Sequence, residues 1–149
     1  MSIDIEILEA LRWPLEAVGL LGLIGLVLLA AMNYARLPGT VPHHFGITGR
    51  PDRHGGRWIL LLMCAIALAM YAGMSAGGDT FGLLTGQAAA KPGEALMLAW
   101  TKGVLMLTLC HCVRSMIRVA RGEAGRMNVA VLWGLIALTL VPVVAGVAR

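Results

Sequence analysis

Uncharged apolar length is the feature that most constrains this chain. Residues 17–34, 58–76 and 129–148 contain no Asp, Glu, Lys or Arg, and residues 95–113 contain a single charge, Lys102. At a rise of about 1.5 Å per residue, a run of this length crosses roughly 27 Å, close to the hydrocarbon thickness of a bilayer. Composition agrees. Charged residues make up 13% of the 149 and hydrophobic residues 58%, against about 25% charged in a soluble domain. The expectation is a single all-α, multi-pass membrane domain over residues 1–149. Its four transmembrane helices, at about 17–34, 58–76, 95–113 and 129–148, leave an ordered Pro/Gly/His-rich loop between the first two.

The flanks refine this picture. Residues 1–16 alternate acids (Asp4, Glu6, Glu9, Glu16) with Ile and Leu. They read as an interfacial helix, with Trp13 at headgroup depth and Pro14 as a first-turn proline opening the span. A secretory signal peptide needs a basic start and a shorter apolar core, so the first run is expected to stay in the mature protein. The loop after the first run carries Arg36, Arg50, Arg53 and Arg57, and the one after the third carries Arg114, Arg118, Arg121 and Arg126. The other side has Arg12, Lys91 and Arg149. By the positive-inside rule both basic loops are cytoplasmic and both termini outside. The net charge of +4 is therefore assigned to anionic lipid headgroups, contacted by Arg114, Arg118 and Arg121, and not to nucleic acid.

Within the runs, small and polar residues suggest contacts. Gly19, Gly22 and Gly25 form a smooth strip, and Gly73 with Gly77 makes a small-xxx-small pair for close helix packing. Residues 77–94 read as a glycine-rich connector whose Phe81, Leu83 and Leu84 dip into the interface, with Pro92 starting the third helix. Lys102 lies about 10 Å into its run by the helical rise and is expected to snorkel to the near surface. Thr101, Thr108, His111 and Ser115 share one helical face, expected to form interhelical hydrogen bonds. Cys110, His111 and Cys112 are neighbours on a helix, about 100° apart, and cannot converge on one metal ion. Three cysteines in apolar runs (with Cys64) give no disulfide framework. Pro142 is expected to kink the last helix.

The chemistry concentrates in residues 33–58, NYARLPGTVPHHFGITGRPDRHGGRW. Leu37-Pro38 and Val41-Pro42 hold extended backbone, presenting His43, His44 and Phe45. Gly46, Gly49 and Arg50-Pro51-Asp52 favour turns, and Gly55-Gly56 releases the chain into the next helix. His44 is expected to act as a hydrogen-bonding or titrating group and Asp52 to pair with Arg50, Arg53 or Arg57, with Pro42 and Phe45 as packing anchors.

The pattern Leu37-Pro38-x-x-Val41-Pro42-x-His44-Phe45-x-x-x-Gly49-x-x-Asp52 resembles the signature loop of the bacterial domain of unknown function numbered 1648. It departs from that pattern at Gly46, where members carry asparagine, and at Gly56-Arg57, where they carry serine-lysine. The resemblance implies a small bacterial inner-membrane protein. One branch of the family includes immunity proteins against a sporulation-delaying toxin, but their C-terminal asparagine, glycine and arginine motif is not found between Arg114 and Trp133.

No phosphate-cradling loop, nucleophile with a base at useful spacing or paired carboxylates occur in the chain, so no enzyme and no cofactor are expected. The leading reading is a non-enzymatic membrane protein whose loop 33–58 recognises a peptide, lipid or protein partner, as a sensor or immunity protein would. A metal-dependent membrane enzyme or transporter using His43, His44, Asp52 and His54 is the alternative, although no zinc spacing is met. A subunit of a larger membrane assembly, or a homo-oligomer, is the third.

Overall fold

The computed structural model describes residues 2–76 and 92–147. Four helices and one hairpin follow in order: α1 (Ser2–Tyr34), β1 (Thr40–Phe45), β2 (Pro51–Gly56), α2 (Ile59–Ala76), α3 (Pro92–Ala120) and α4 (Val129–Val147). Three helical stretches, Ile5–Tyr34, Ile59–Ala76 and Gly93–Ala120, are long and apolar enough to cross a membrane. The fourth, Val129–Pro142, is a shorter apolar helix. Large apolar side chains such as Leu21, Leu28, Leu61, Leu68 and Leu140 face outward, an arrangement suited to lipid rather than water.

Two expectations about the first helix change. From Ser2 onward the chain is one continuous helix into the span, and Pro14, expected in its first turn, lies inside it. Proline removes one backbone donor, whereas breaking the helix in an apolar medium would expose several backbone groups. The all-α expectation changes too, since residues 40–45 and 51–56 pair as antiparallel strands. The connector expected over residues 77–94 lies outside the described residues except for its end, where Pro92 opens α3.

Helices α1 and α3 form the spine of the bundle. A Cβ on Gly19 would sit 3.6 Å from the Cα of Gly103, and one on Gly22 would sit 3.0 Å from the Met106 Cβ. Glycine at these positions lets the two backbones approach closely and gain dispersion contacts along their length. Gly25 and Gly73 meet nothing within 4 Å, so the strip stops at two of its three glycines. Gly77 lies outside the described residues. Leu26, Ala30, Met106 and Val113 from this seam join Leu60 and Ala67 of α2 and Val41 of β1 in one core.

Pro142, expected to kink the last helix, has its missing bond answered from another helix. Without an N–H, it leaves the Leu138 carbonyl four residues earlier without its helical donor. The Trp100 Nε1–H of α3 donates to that carbonyl at 2.9 Å. Trp100→Phe should therefore destabilise the protein by about 1–3 kcal/mol, the cost of an orphaned carbonyl. Adding Pro142→Ala to Trp100→Phe should recover most of that loss, because residue 142 regains its N–H. Thermal unfolding of the four proteins in detergent micelles reads this cycle.

Candidate functional site

The turn between α3 and α4 sets the frame of the site. Gly122 takes a left-handed φ of 72°, its N–H donates to the Val119 carbonyl, and the Glu123 N–H donates to the Arg118 carbonyl. This pair of bonds is a Schellman stop, favoured by glycine's lack of a Cβ. Six residues later Asn128 caps α4, its side-chain oxygen accepting from the N–H groups of Ala130 and Val131. The His111 Nε2–H donates to the Asn128 carbonyl at 3.1 Å, tying α3 to the cap of α4.

The hairpin docks on this turn through its tip. Register runs from Thr40 opposite Gly56 to Phe45 opposite Pro51, with irregularities on either side of His44. Both strands are edges, so Pro42 and Pro51 are tolerated. At the tip the Gly46 N–H donates to the Arg50 carbonyl and the Gly49 N–H to the Gly46 carbonyl. Gly49 has φ of 76°, and its carbonyl accepts from the Met127 N–H at 2.8 Å. A Cβ at Gly49 would meet the Met127 carbonyl oxygen at 2.3 Å. Both the conformation and the space thus demand glycine here. The contact also places the two arginine-bearing loops at the same end of the bundle.

The hairpin's two faces differ in kind. Leu37, Val41 and Pro42 are buried, and Phe45 is half-buried against the core. Pro38, His43, His44, Asp52, Arg53 and His54 are exposed. At the base the Arg57 guanidinium lies 5.1 Å from the centre of the Tyr34 ring, a cation–π contact with the end of α1. On the exposed face the His44 Nδ1 lies 2.6 Å from the Asp52 Oδ1. The expected arginine partner of Asp52 is replaced by histidine, because His44 sits across the hairpin within ring's reach. The His44 hydrogen bond, assisted by the charges of His44 and Arg53 and opposed by partial desolvation, holds the Asp52 carboxyl below its ordinary pKa. A depressed carboxylate contributes stability above its unfolded-state value and loses it as pH falls through the folded one. The contribution of Asp52 is therefore complete at neutral pH and disappears only in acid.

The remaining sequence candidates separate. Lys102 does not snorkel: it is 2% exposed. Its ammonium forms an ion pair with the Glu16 carboxylate of α1, donates to Ser75 Oγ of α2 at 3.1 Å and lies 4.9 Å from the Tyr71 ring centre. Thr101 and Thr108 donate to the Met97 and Val104 carbonyls of their own helix, so among the described residues the polar stripe bonds beyond its own helix at His111. Backbone carbonyls one turn away are the nearest acceptors for a helical threonine. Arg121 donates to Asn33 Oδ1 and pairs with Glu123. Among the described residues no three His, Cys, Asp or Glu side chains are grouped to hold a metal ion, and His43, His44, Asp52 and His54 do not converge.

Sequence reasoning missed three features. The Lys102–Glu16 pair was signalled by a lone charge inside the third apolar run and an acid at the very edge of the first. The Trp100 bond was signalled by the donor that Pro142 lacks. Arg126 shares a cavity of about 310 Å³ with Arg114, Arg118, His111, Ser115 and Asn128. It lies in a turn, where no periodicity reports direction.

This arrangement defines a helical membrane-type protein carrying a β-hairpin between its first two helices. Residues 20–68 match the family model of the domain of unknown function DUF1648. That segment takes in α1 from Leu20, the whole hairpin and α2 as far as Leu68. Lys102 and the cavity arginines lie outside it. An uncharacterized protein of Archaeoglobus fulgidus is 46% identical over 56 residues, covering 38% of this chain and 28% of the relative. The chain thus matches little more than a quarter of that relative's length, and the relative is archaeal rather than bacterial. No solved structure matches the chain.

Substitutions at the glycines and at the buried ion pair test the frame. Gly49→Ala should cost at least about 1–2 kcal/mol from its left-handed backbone alone, with the Met127 clash added. Gly25→Ala, with open space around it, should be neutral or better in the same unfolding assay. Lys102→Met, which strands the Glu16 carboxylate, should cost about 3–5 kcal/mol. The double variant Glu16→Gln/Lys102→Met should be more stable than Lys102→Met alone, as unfolding midpoints in micelles would record.

Proposed function

We propose that this is a non-enzymatic inner-membrane protein whose hairpin recognises a protein or peptide partner, in the manner of a sensor or an immunity protein. The observation that carries the reading is the His44–Asp52 pair, bonded at 2.6 Å yet more than half exposed on both side chains. A pair this exposed contributes little to stability, but it presents an anion and a ring in one fixed geometry. The buried inner face and the Gly49 contact reduce the conformational entropy lost when a partner binds. Ile47, 87% exposed at the tip, adds an apolar contact beside the pair. In this reading α4 completes a fourth crossing, and the basic loops, with the hairpin, lie on the cytoplasmic side.

The test uses His44→Ala and Asp52→Ala in the full chain, with a photo-crosslinking residue at position 47. Both variants should stay in the membrane fraction and unfold within about 0.5 kcal/mol of the parent, as surface changes do. A discrete adduct formed in intact cells by the parent should disappear in both. Loss of both variants from the membrane would make the pair structural, and adducts unchanged by either substitution would remove it from recognition.

A further inference from the structure

The cavity between the end of α3 and the start of α4 is independent of the His44–Asp52 pair and differs from it in chemistry. Arg114 and Arg118 lie one helical turn apart on α3, and the Gly122 turn carries Arg126 back to face them across about 310 Å³. That volume is at the small end for ligand pockets, roughly 300–1,000 Å³, and suits a headgroup-sized anion. No carboxylate lines it. Among the described residues Arg114, Arg118 and Arg126 form no ion pair, whereas the neighbouring Arg121 has both Glu123 and Asn33. Three cations converging without a counter-charge repel one another, and each guanidinium keeps its fork of donors free for an oxyanion. Ser115, 8% exposed, and the Asn128 side chain border the same space.

We propose that this cavity binds a phosphate group, gripped by Arg114, Arg118 and Arg126. Its depth agrees with a lipid headgroup. Trp58 at the start of α2 and Trp133 one turn into α4 are more than half exposed, and exposed tryptophans at helix ends mark the membrane interface. The hairpin belongs to the device, because the bond from Met127 N–H to the Gly49 carbonyl anchors the residue next to Arg126. Thr48 and Arg126 also share the adjoining cleft. The signature glycine of the matched domain thus braces an anion site that lies outside that domain.

The experiment is thermal unfolding of the full chain in neutral detergent, titrated separately with inorganic phosphate and with short-chain phosphatidylglycerol, against sodium chloride at matched ionic strength. A saturable rise in midpoint is expected from at least one ligand. Arg118→Gln and Arg126→Gln should each weaken it about tenfold or more, as loss of a charge-assisted contact does. Arg53→Gln, on the exposed hairpin, should bind as the parent does. The unliganded midpoints of Arg118→Gln and Arg126→Gln should equal or exceed the parent's, since repulsion is relieved; a purely structural arginine would lower them. Saturation by phosphatidylglycerol with little response to phosphate identifies a lipid headgroup, and the reverse a soluble phosphate. Absence of a saturable shift with either, a shift reproduced by chloride, or equal weakening in Arg53→Gln overturns the proposal.

Discussion

An ammonium group buried in an apolar bundle has to be neutralised by its surroundings, and much of this architecture is arranged around that need. Lys102 reaches Glu16 on α1 and Ser75 and Tyr71 on α2, so a single side chain of α3 holds a polar atom or ring from both of these helices. The desolvation it suffers is offset only while all three helices keep their register. The glycines make that register reachable, because Gly103 lies one residue from Lys102 and directly against Gly19. Close backbone approach and ion pairing therefore enforce each other at one level of the bundle.

The opposite end is held by backbone bonding. No long-range ion pair joins the hairpin to the α3–α4 turn among the described residues; one backbone hydrogen bond at Gly49 and the burial of Leu37, Val41 and Pro42 do so. Charge is left over for display as a result. The His44–Asp52 pair is exposed on the hairpin, and three arginines with no ion pair among the described residues line the cavity between α3 and α4. The matched family segment, residues 20–68, contains the hairpin, while the arginines come from this chain's second half.

Legibility differed from element to element for physical reasons. Helical spans declare themselves by length and hydropathy, and α2 is Ile59–Ala76 against an expected 58–76. The Gly19/Gly22 seam was visible as small residues three apart, but its end at Gly22 was not, since helix crossing decides which glycines face a neighbour. Prolines and glycines in residues 33–58 marked extended backbone and turns. They did not reveal strand pairing, because pairing needs register between two segments and each strand carries proline and histidine instead of an alternating apolar pattern. Asp52 was placed among arginines on sequence proximity, whereas the hairpin brings His44, eight residues away, into contact.

Sequence alone determined that much of the surface must face lipid, since four apolar runs in 149 residues leave too little polar surface for water. It also determined where the turns fall, because proline and glycine restrict or free the backbone locally. Tertiary structure decided the partners of the charges: Glu16 for Lys102, His44 for Asp52, Asn33 and Glu123 for Arg121, and no ion-pair partner among the described residues for Arg114, Arg118 and Arg126. Coulombic and hydrogen-bond energies act over a few ångströms of space, and distance along the chain carries almost no information about distances of that size until the helices are packed.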